Sequence, residues 1–186
     1  MRELIPILFL GAFVAVPIAL VVAFVQLRAK ARRAAQEGPW SALAQQLGGR
    51  FEGGRIFVDR GAYQLTLDTK LVSVMQAASS PWYPDGGTFT EARVAFDPRG
   101  ATSILPSPDN VPLRLSLDEL PRIPALAALS ELAQLPRDAR LFFGPKEARV
   151  VLHGAIVDAN VIGAAMRSLD ALAQGVSTSG PLARVA

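Results

Sequence analysis

Side chains able to do chemistry are few and scattered in this chain. It has no cysteine and one histidine, His153. Disulfides, thiolate zinc sites, iron–sulfur clusters, a cysteine nucleophile, a lipid-modified cysteine and a paired-histidine metal site are therefore excluded. His153 ends an alternating segment, sharing a face with Arg149 and Val151. A general base there needs an orienting carboxylate, and the nearest, Asp158, is better placed to cap the helix that follows. His153 therefore reads as a surface or satisfied histidine. Asp118 and Glu119 are adjacent and read as solvated charges at the start of a Leu-Pro-Arg-Ile-Pro turn.

The motifs that announce catalysis are missing. No GxxxxGK[ST] phosphate loop, HExxH, G-x-S-x-G elbow or S-x-x-K occurs. The glycines Gly48, Gly49, Gly53 and Gly54 lack the GxGxxG order and lie between a predicted helix and a predicted strand. A dinucleotide loop runs from strand to helix, so this cluster reads as a flexible turn. The sequence thus predicts no catalytic residue, no cofactor and no metal, and a protein that is not an enzyme.

One loop stands apart. Ser79-Ser80-Pro81-Trp82-Tyr83-Pro84-Asp85-Gly86-Gly87 sets two large aromatics between prolines. Trp and Tyr supply contact area at low entropy cost, so Trp82 and Tyr83 are candidates for a partner or ligand anchor. The competing reading folds Trp82 back as a lid over the core.

These groups must be positioned by the rest of the chain, which begins with an oily stretch. Leu4 to Val25 carries no charge. As a helix it spans about 33 Å, against a bilayer core of about 30 Å. A transmembrane anchor over residues 1–27 is the expectation. A cleaved signal peptide fits less well, because the run exceeds the usual apolar region and passes straight into Arg28, Lys30, Arg32 and Arg33. Those four residues suit anionic lipid head groups. Basic flanks stay in the cytoplasm, so the N-terminus is expected outside and the remaining chain inside, at the cell (inner) membrane. Pro17 predicts a kink. Gly11, Ala15, Ala19 and Ala23 recur every fourth residue and predict a face for close helix–helix contact. The expected partners are the lipid bilayer and a membrane protein or a second copy of this chain.

The net charge of +3 does not point to nucleic acid. Five of the 19 Lys+Arg and one of the 16 Asp+Glu precede residue 34, which leaves the remainder at about −1. No basic stripe with interleaved aromatics follows. The preference for arginine over lysine and the many Ala, Gly and Pro residues suggest a GC-rich, bacterial coding sequence.

After a basic juxtamembrane linker over 28–38, the signals alternate between the two periods. Pro39–Gly48 predicts a short helix with Trp40, Leu43, Ala44 and Leu47 on one face. Strands are predicted at Arg55–Arg60 and Tyr63–Asp68 around a type II′ turn at Gly61-Ala62, then at Leu71–Ala77 and Thr88–Asp97. In the last of these Thr90, Ala92, Val94 and Phe96 share one face, and Phe89, Glu91 and Arg93 the other. A proline-rich loop covers 98–112, followed by a strand at Leu113–Asp118 and a helix at Pro124–Leu135. Strands at Ala139–Phe143 and Ala148–His153 precede a final helix, capped by Asp158 and ended by Gly175. Residues 176–186 read as a flexible tail.

The predicted fold is α+β: a single transmembrane helix, then one domain over 39–175 with a mainly antiparallel sheet of about seven strands and three helices. The predicted function is that of a membrane-anchored interaction, accessory or assembly module with a cytoplasmic domain. The alternative is a membrane-tethered domain that binds a lipid or another small apolar ligand.

Overall fold

The computed structural model describes residues 4–80, 82–83, 85–97, 99, 102–104, 113–116 and 130–179; of 4–15, 29, 32, 33, 113–116, 130, 133 and 179 it describes the backbone alone. Two compact units divide between Glu37 and Gly38.

The first unit is helical. Helix α1 runs from Leu4 to Gln46. The separate helix expected to begin at Pro39 is instead the end of this longer one. Residues 26–37 are mostly Ala, Arg, Lys, Gln and Glu, all good helix formers, and Pro39 is carried inside the helix at the loss of one backbone hydrogen bond. Val16, Ile18, Leu20, Val21, Val22, Phe24, Val25 and Leu27 are exposed. Among the described residues no helix is long and apolar enough to cross a membrane, the described side chains of the apolar run extending only from Val16 to the charge at Arg28.

The second unit is α+β, with one antiparallel sheet. Its strands are β1 (Arg50–Glu52), β2 (Arg55–Asp59), β3 (Tyr63–Val72), β4 (Gly87–Phe96), β5 (Leu113–Ser116), β6 (Arg140–Phe143) and β7 (Glu147–His153), in the order β1-β2-β3-β4-β7-β6-β5. Sequential strands pair as hairpins except at the centre, where β4 lies beside β7 with Ala92 opposite Val150. The chain thus leaves β4 for the far edge and returns through β5 and β6. Gly53 and Gly54 both have positive φ, as a two-residue type I′ turn between β1 and β2 requires. Gly61, with φ +75°, starts the β2–β3 turn, and no non-glycine described residue has positive φ.

One prediction fails between β3 and β4. The two strands predicted for Tyr63–Asp68 and Leu71–Ala77 are one long strand to Val72, followed by a short helix α2 (Val74–Ala78). Ser73 is its N-cap: the Ser73 hydroxyl accepts from Gln76 N, and Gln76 Oε1 accepts from Ser73 N at 2.9 Å. This reciprocal box outweighs the strand preference of Val72 and Val74.

One face of the sheet carries the main core. Ile56, Val58, Leu65, Leu67, Ala92, Val94, Val150 and Leu152 pack with Trp40, Leu43 and Ala44 from the end of α1 and with the last helix, α3 (Ala159–Ser179). The predicted stripe Ile162, Ala165, Met166, Leu169, Leu172 and Ala173 is buried throughout. Asp158 caps α3, its Oδ1 accepting from Asn160 N at 2.8 Å. Gly175 does not end it. The helix continues to Ser179, and Val176 is buried, so the predicted tail starts too early. Of the helix predicted at Pro124–Leu135, residues 124–129 lie outside the described residues, and Ser130–Gln134 forms a 3-10 helix. Leu117, Asp118 and Glu119 also lie outside them.

Candidate site: the Glu91 cluster beneath the Trp82 loop

The second face of the sheet is the more unusual one. Strand alternation places Asp68 and Lys70 of β3, Glu91 and Arg93 of β4, and Glu147 and Arg149 of β7 on it. Register then brings them together: Asp68 lies opposite Glu91, and Arg93 lies opposite Arg149. Like charges directly opposite each other repel, so each needs a counter-charge on the diagonal.

Glu91 meets that need at the centre. It is 3% exposed. Its Oε1 accepts from Lys70 Nζ at 2.9 Å, and its Oε2 accepts from Tyr83 Oη at 2.5 Å. Arg149 Nη1 approaches both carboxylate oxygens, at 3.4 and 3.5 Å. Arg149 Nη2 donates to Glu147 at 2.7 Å, and Arg93 Nη2 reaches the other Glu147 oxygen at 2.5 Å. Asp68 is paired separately with Arg55 at 3.0 Å. The Nε atoms of Arg93 and Arg149 are buried and find no acceptor among the described residues.

The Trp82 loop closes over this cluster. Arg149 lies over the Trp82 ring, 4.1 Å from its centroid, and Trp82 meets Phe142 edge to face at 5.4 Å. Tyr83 packs on Phe89 at 5.2 Å, and Phe89 meets the ring of His153 at 5.4 Å. Val72, Ala77, Phe89, Phe142 and Val151 form a small apolar layer beneath the two half-buried aromatics. His153 itself is exposed.

The electrostatics follow from this enclosure. Burial by itself would raise the Glu91 carboxyl; the Tyr83 hydrogen bond and the Arg149 and Lys70 cations outweigh it and hold the group below the ordinary carboxylate value. Burial, reinforced by the hydrogen bond to Glu91, pushes the Tyr83 phenol well above its ordinary value. The ionised carboxylate accepts from Tyr83 and Lys70 and faces Arg149. The cluster ties the Trp82 loop to the sheet through the Tyr83–Glu91 bond.

The other predicted positions disperse. Gly11, Ala15, Arg32 and Arg33 lie outside the residues whose side chains are described. Ala19, Ala23 and Lys30 are exposed on α1, and Arg28 lies over the Phe24 ring at 4.5 Å. Among the described residues no group of His, Asp and Glu could hold a metal ion. The glycine turn borders a cleft of about 220 Å³ lined by Gly48, Gly49, Arg50, Phe57, Asp59 and Gln64. Alternation alone isolates Glu91 and Arg93 from the apolar face, but only the β4–β7 register reveals that Arg149 and Glu147 complete their set. No known protein family, curated protein or solved structure matches the chain.

Proposed function

We propose that this chain is a single-pass membrane protein whose α+β domain works as an interaction, accessory or assembly module on the cytoplasmic side. One observation carries the reading: on α1 every large apolar side chain described between Val16 and Leu27 is exposed. An apolar surface of that extent is avoided in water. It continues a run that is uncharged from Leu4 and that ends in Arg28, Lys30, Arg32 and Arg33. Lipid is the solvent that suits it, and the small residues Gly11, Ala15, Ala19 and Ala23 offer a partner helix a close approach.

The domain supports a non-catalytic role, because its most organised group of ionisable side chains is mutually neutralised and covered. A lipid-binding domain needs an apolar cavity, and the cleft beside Gly48 has Phe57 as its one large apolar side chain among Arg50, Asp59, Gln64 and two glycines. We therefore favour the interaction reading.

The test is fractionation followed by detergent extraction of the full chain. Retention in the membrane pellet through alkaline carbonate, with co-migration of a second protein or copy in mild detergent, is the expected outcome. Recovery of the uncleaved chain in the aqueous fraction overturns the anchor. Emergence as an isolated monomer in every detergent overturns the interaction role.

A further inference from the structure

We infer that α2 and the Trp82–Tyr83 turn form a strap that lifts off the sheet as one unit while the strands and α3 stay folded, whether or not α1 crosses a membrane. The strap is an excursion from a hairpin. Val72 at the end of β3 pairs with Gly87 at the start of β4, so the two ends of the excursion are held side by side. A compact surface loop closed at its base in this way, and packed by its own side chains, is an Ω loop. The self-packing is visible at Gly86, where a Cβ would stand 2.9 Å from Val74 N.

The backbone of the strap is hydrogen-bonded to the strap itself. Ala77 N donates to Ser73 O at 2.9 Å, and Ser80 N donates to Ala77 O at 3.1 Å. Gln76 N donates to Ser73 Oγ and Trp82 N to Ser80 Oγ, each at 3.2 Å. Among the described residues no backbone group of α2 or of the turn bonds to the sheet. Lifting the strap therefore breaks no ladder bond and leaves no buried N–H or C=O without a partner.

Side chains alone fasten it. The Trp82 ring meets Arg149 and Phe142, the Tyr83 ring meets Phe89, and Tyr83 Oη donates to Glu91. Ala77 is buried in the layer beneath. Val74 and Met75 are 74% and 85% exposed and add no hold. Release of the strap does not orphan the buried carboxylate, because Glu91 keeps Lys70 at 2.9 Å and Arg149 at 3.4 Å. The heavy cost of stripping a buried charge of every partner is thus avoided.

The main core is independent of these contacts. It lies on the opposite face of the sheet and includes no residue of the strap. Adjacent residues of β7 mark the division: Val150 belongs to the main core and Val151 to the layer under the strap. Domains open locally in cooperative units, and a unit with few buried apolar contacts opens at lower free energy than the core. The strap contributes one buried alanine and two half-buried rings. Lifting it uncovers Phe89, Phe142 and Val151, an apolar floor with Arg149 and Glu91 beside it. The strap is a lid over that floor.

The chain has no cysteine, so a single buried thiol reports opening through its reaction with a soluble thiol reagent. Val151→Cys places the thiol under the strap, and Val150→Cys places it in the main core. Ala77→Cys, buried in the same layer as Val151, repeats the first measurement with a different substitution. Labelling of the full chain in detergent is timed at denaturant concentrations below the unfolding transition. The expected result is faster labelling at 151 and 77 than at 150, with a weaker dependence on denaturant, because lifting the strap exposes less surface than unfolding. Tyr83→Phe should accelerate labelling at 151 about tenfold, through loss of a hydrogen bond to a charged group. Tyr63→Phe, which removes a bond on the opposite face, should accelerate 150 about tenfold and leave 151 unchanged. Equal rates and denaturant slopes at 150 and 151, or acceleration of both by Tyr63→Phe, would overturn the proposal by showing that the strap opens only with the whole domain. Fast labelling at 151 that ignores Tyr83→Phe also overturns it, because the floor is then reached without lifting the strap.

Discussion

Tyr83 Oη donates to Glu91 Oε2 at 2.5 Å, from a loop on to the centre of a sheet. The bond joins the aromatic pair that stands out in the sequence to a carboxylate that does not. Through it the Trp82–Tyr83 segment acquires a structural role, that of closing a buried charge cluster.

This closure has a pH signature. The folded Glu91 carboxyl lies below its unfolded value, about 4.3. Its contribution is therefore complete above that value and is lost as pH falls through the lower, folded one. Glu91→Gln leaves Arg149 and Lys70 without their anion and should destabilise the domain by about 3 kcal/mol near neutrality. The difference from the parent should shrink below about pH 4. Denaturant unfolding of the detergent-solubilised chain, followed by tryptophan fluorescence, measures both. Parallel stability–pH curves for parent and variant would contradict the assignment.

Trp82 should couple to Arg149. Trp82→Ala removes the stacking partner of the guanidinium and the edge contact with Phe142, and should cost about 2 kcal/mol. Combined with Arg149→Met in a double-mutant cycle, it should show a coupling of about 1 kcal/mol. Additive losses would mean that the ring and the cation act independently.

The legible parts of the fold were those with period alone to read. Leu65 and Leu67, Ala92 and Val94, and Ile162 through Ala173 announce their faces because each lies on a regular element with one buried side. The Ser73–Gln76 box was also present as S-x-x-Q, but Val72, Val74 and Met75 around it imitate a strand. Gly175 misleads because Val176, one residue on, still reaches the core and extends α3. The Glu91 cluster was half legible: alternation segregates Glu91 and Arg93, but pairing across the β4–β7 junction depends on a long-range register that no local pattern encodes.

Gly49 should tolerate no side chain. A Cβ there would collide with the Phe57 carbonyl and press on Val58. That close approach lets the end of α1 turn into β1 directly over β2. Gly49→Ala should cost about 3 kcal/mol, since backbone cannot move aside as a side chain tip does. Gly53→Ala, with open space around it but φ +59°, should cost about 1 kcal/mol through strain alone. Equal losses at the two positions would place the cost in backbone conformation and not in the collision.

At alkaline pH a contact on the other face, between the sheet and α3, should fail. Tyr63 Oη donates to Asp170 Oδ1 at 2.6 Å, while Arg60 holds Oδ2 at 3.0 Å. Burial, then the bond to Asp170, pushes the Tyr63 phenol up to about 12. The raised folded value means that the contribution is complete below the unfolded value of about 10 and is lost as pH climbs through 12. Tyr63→Phe keeps the ring beside Phe96 and removes the hydroxyl. It should lower stability by about 1.5 kcal/mol below pH 10 and flatten the decline above it. Tyr83, the other tyrosine, is also shifted upward and leaves a residual alkaline loss. Tyrosinate absorbance in the Tyr63→Phe and Tyr83→Phe chains assigns the two titrations. An ordinary titration near 10 for the tyrosine kept in the Tyr83→Phe chain would refute the Asp170 contact.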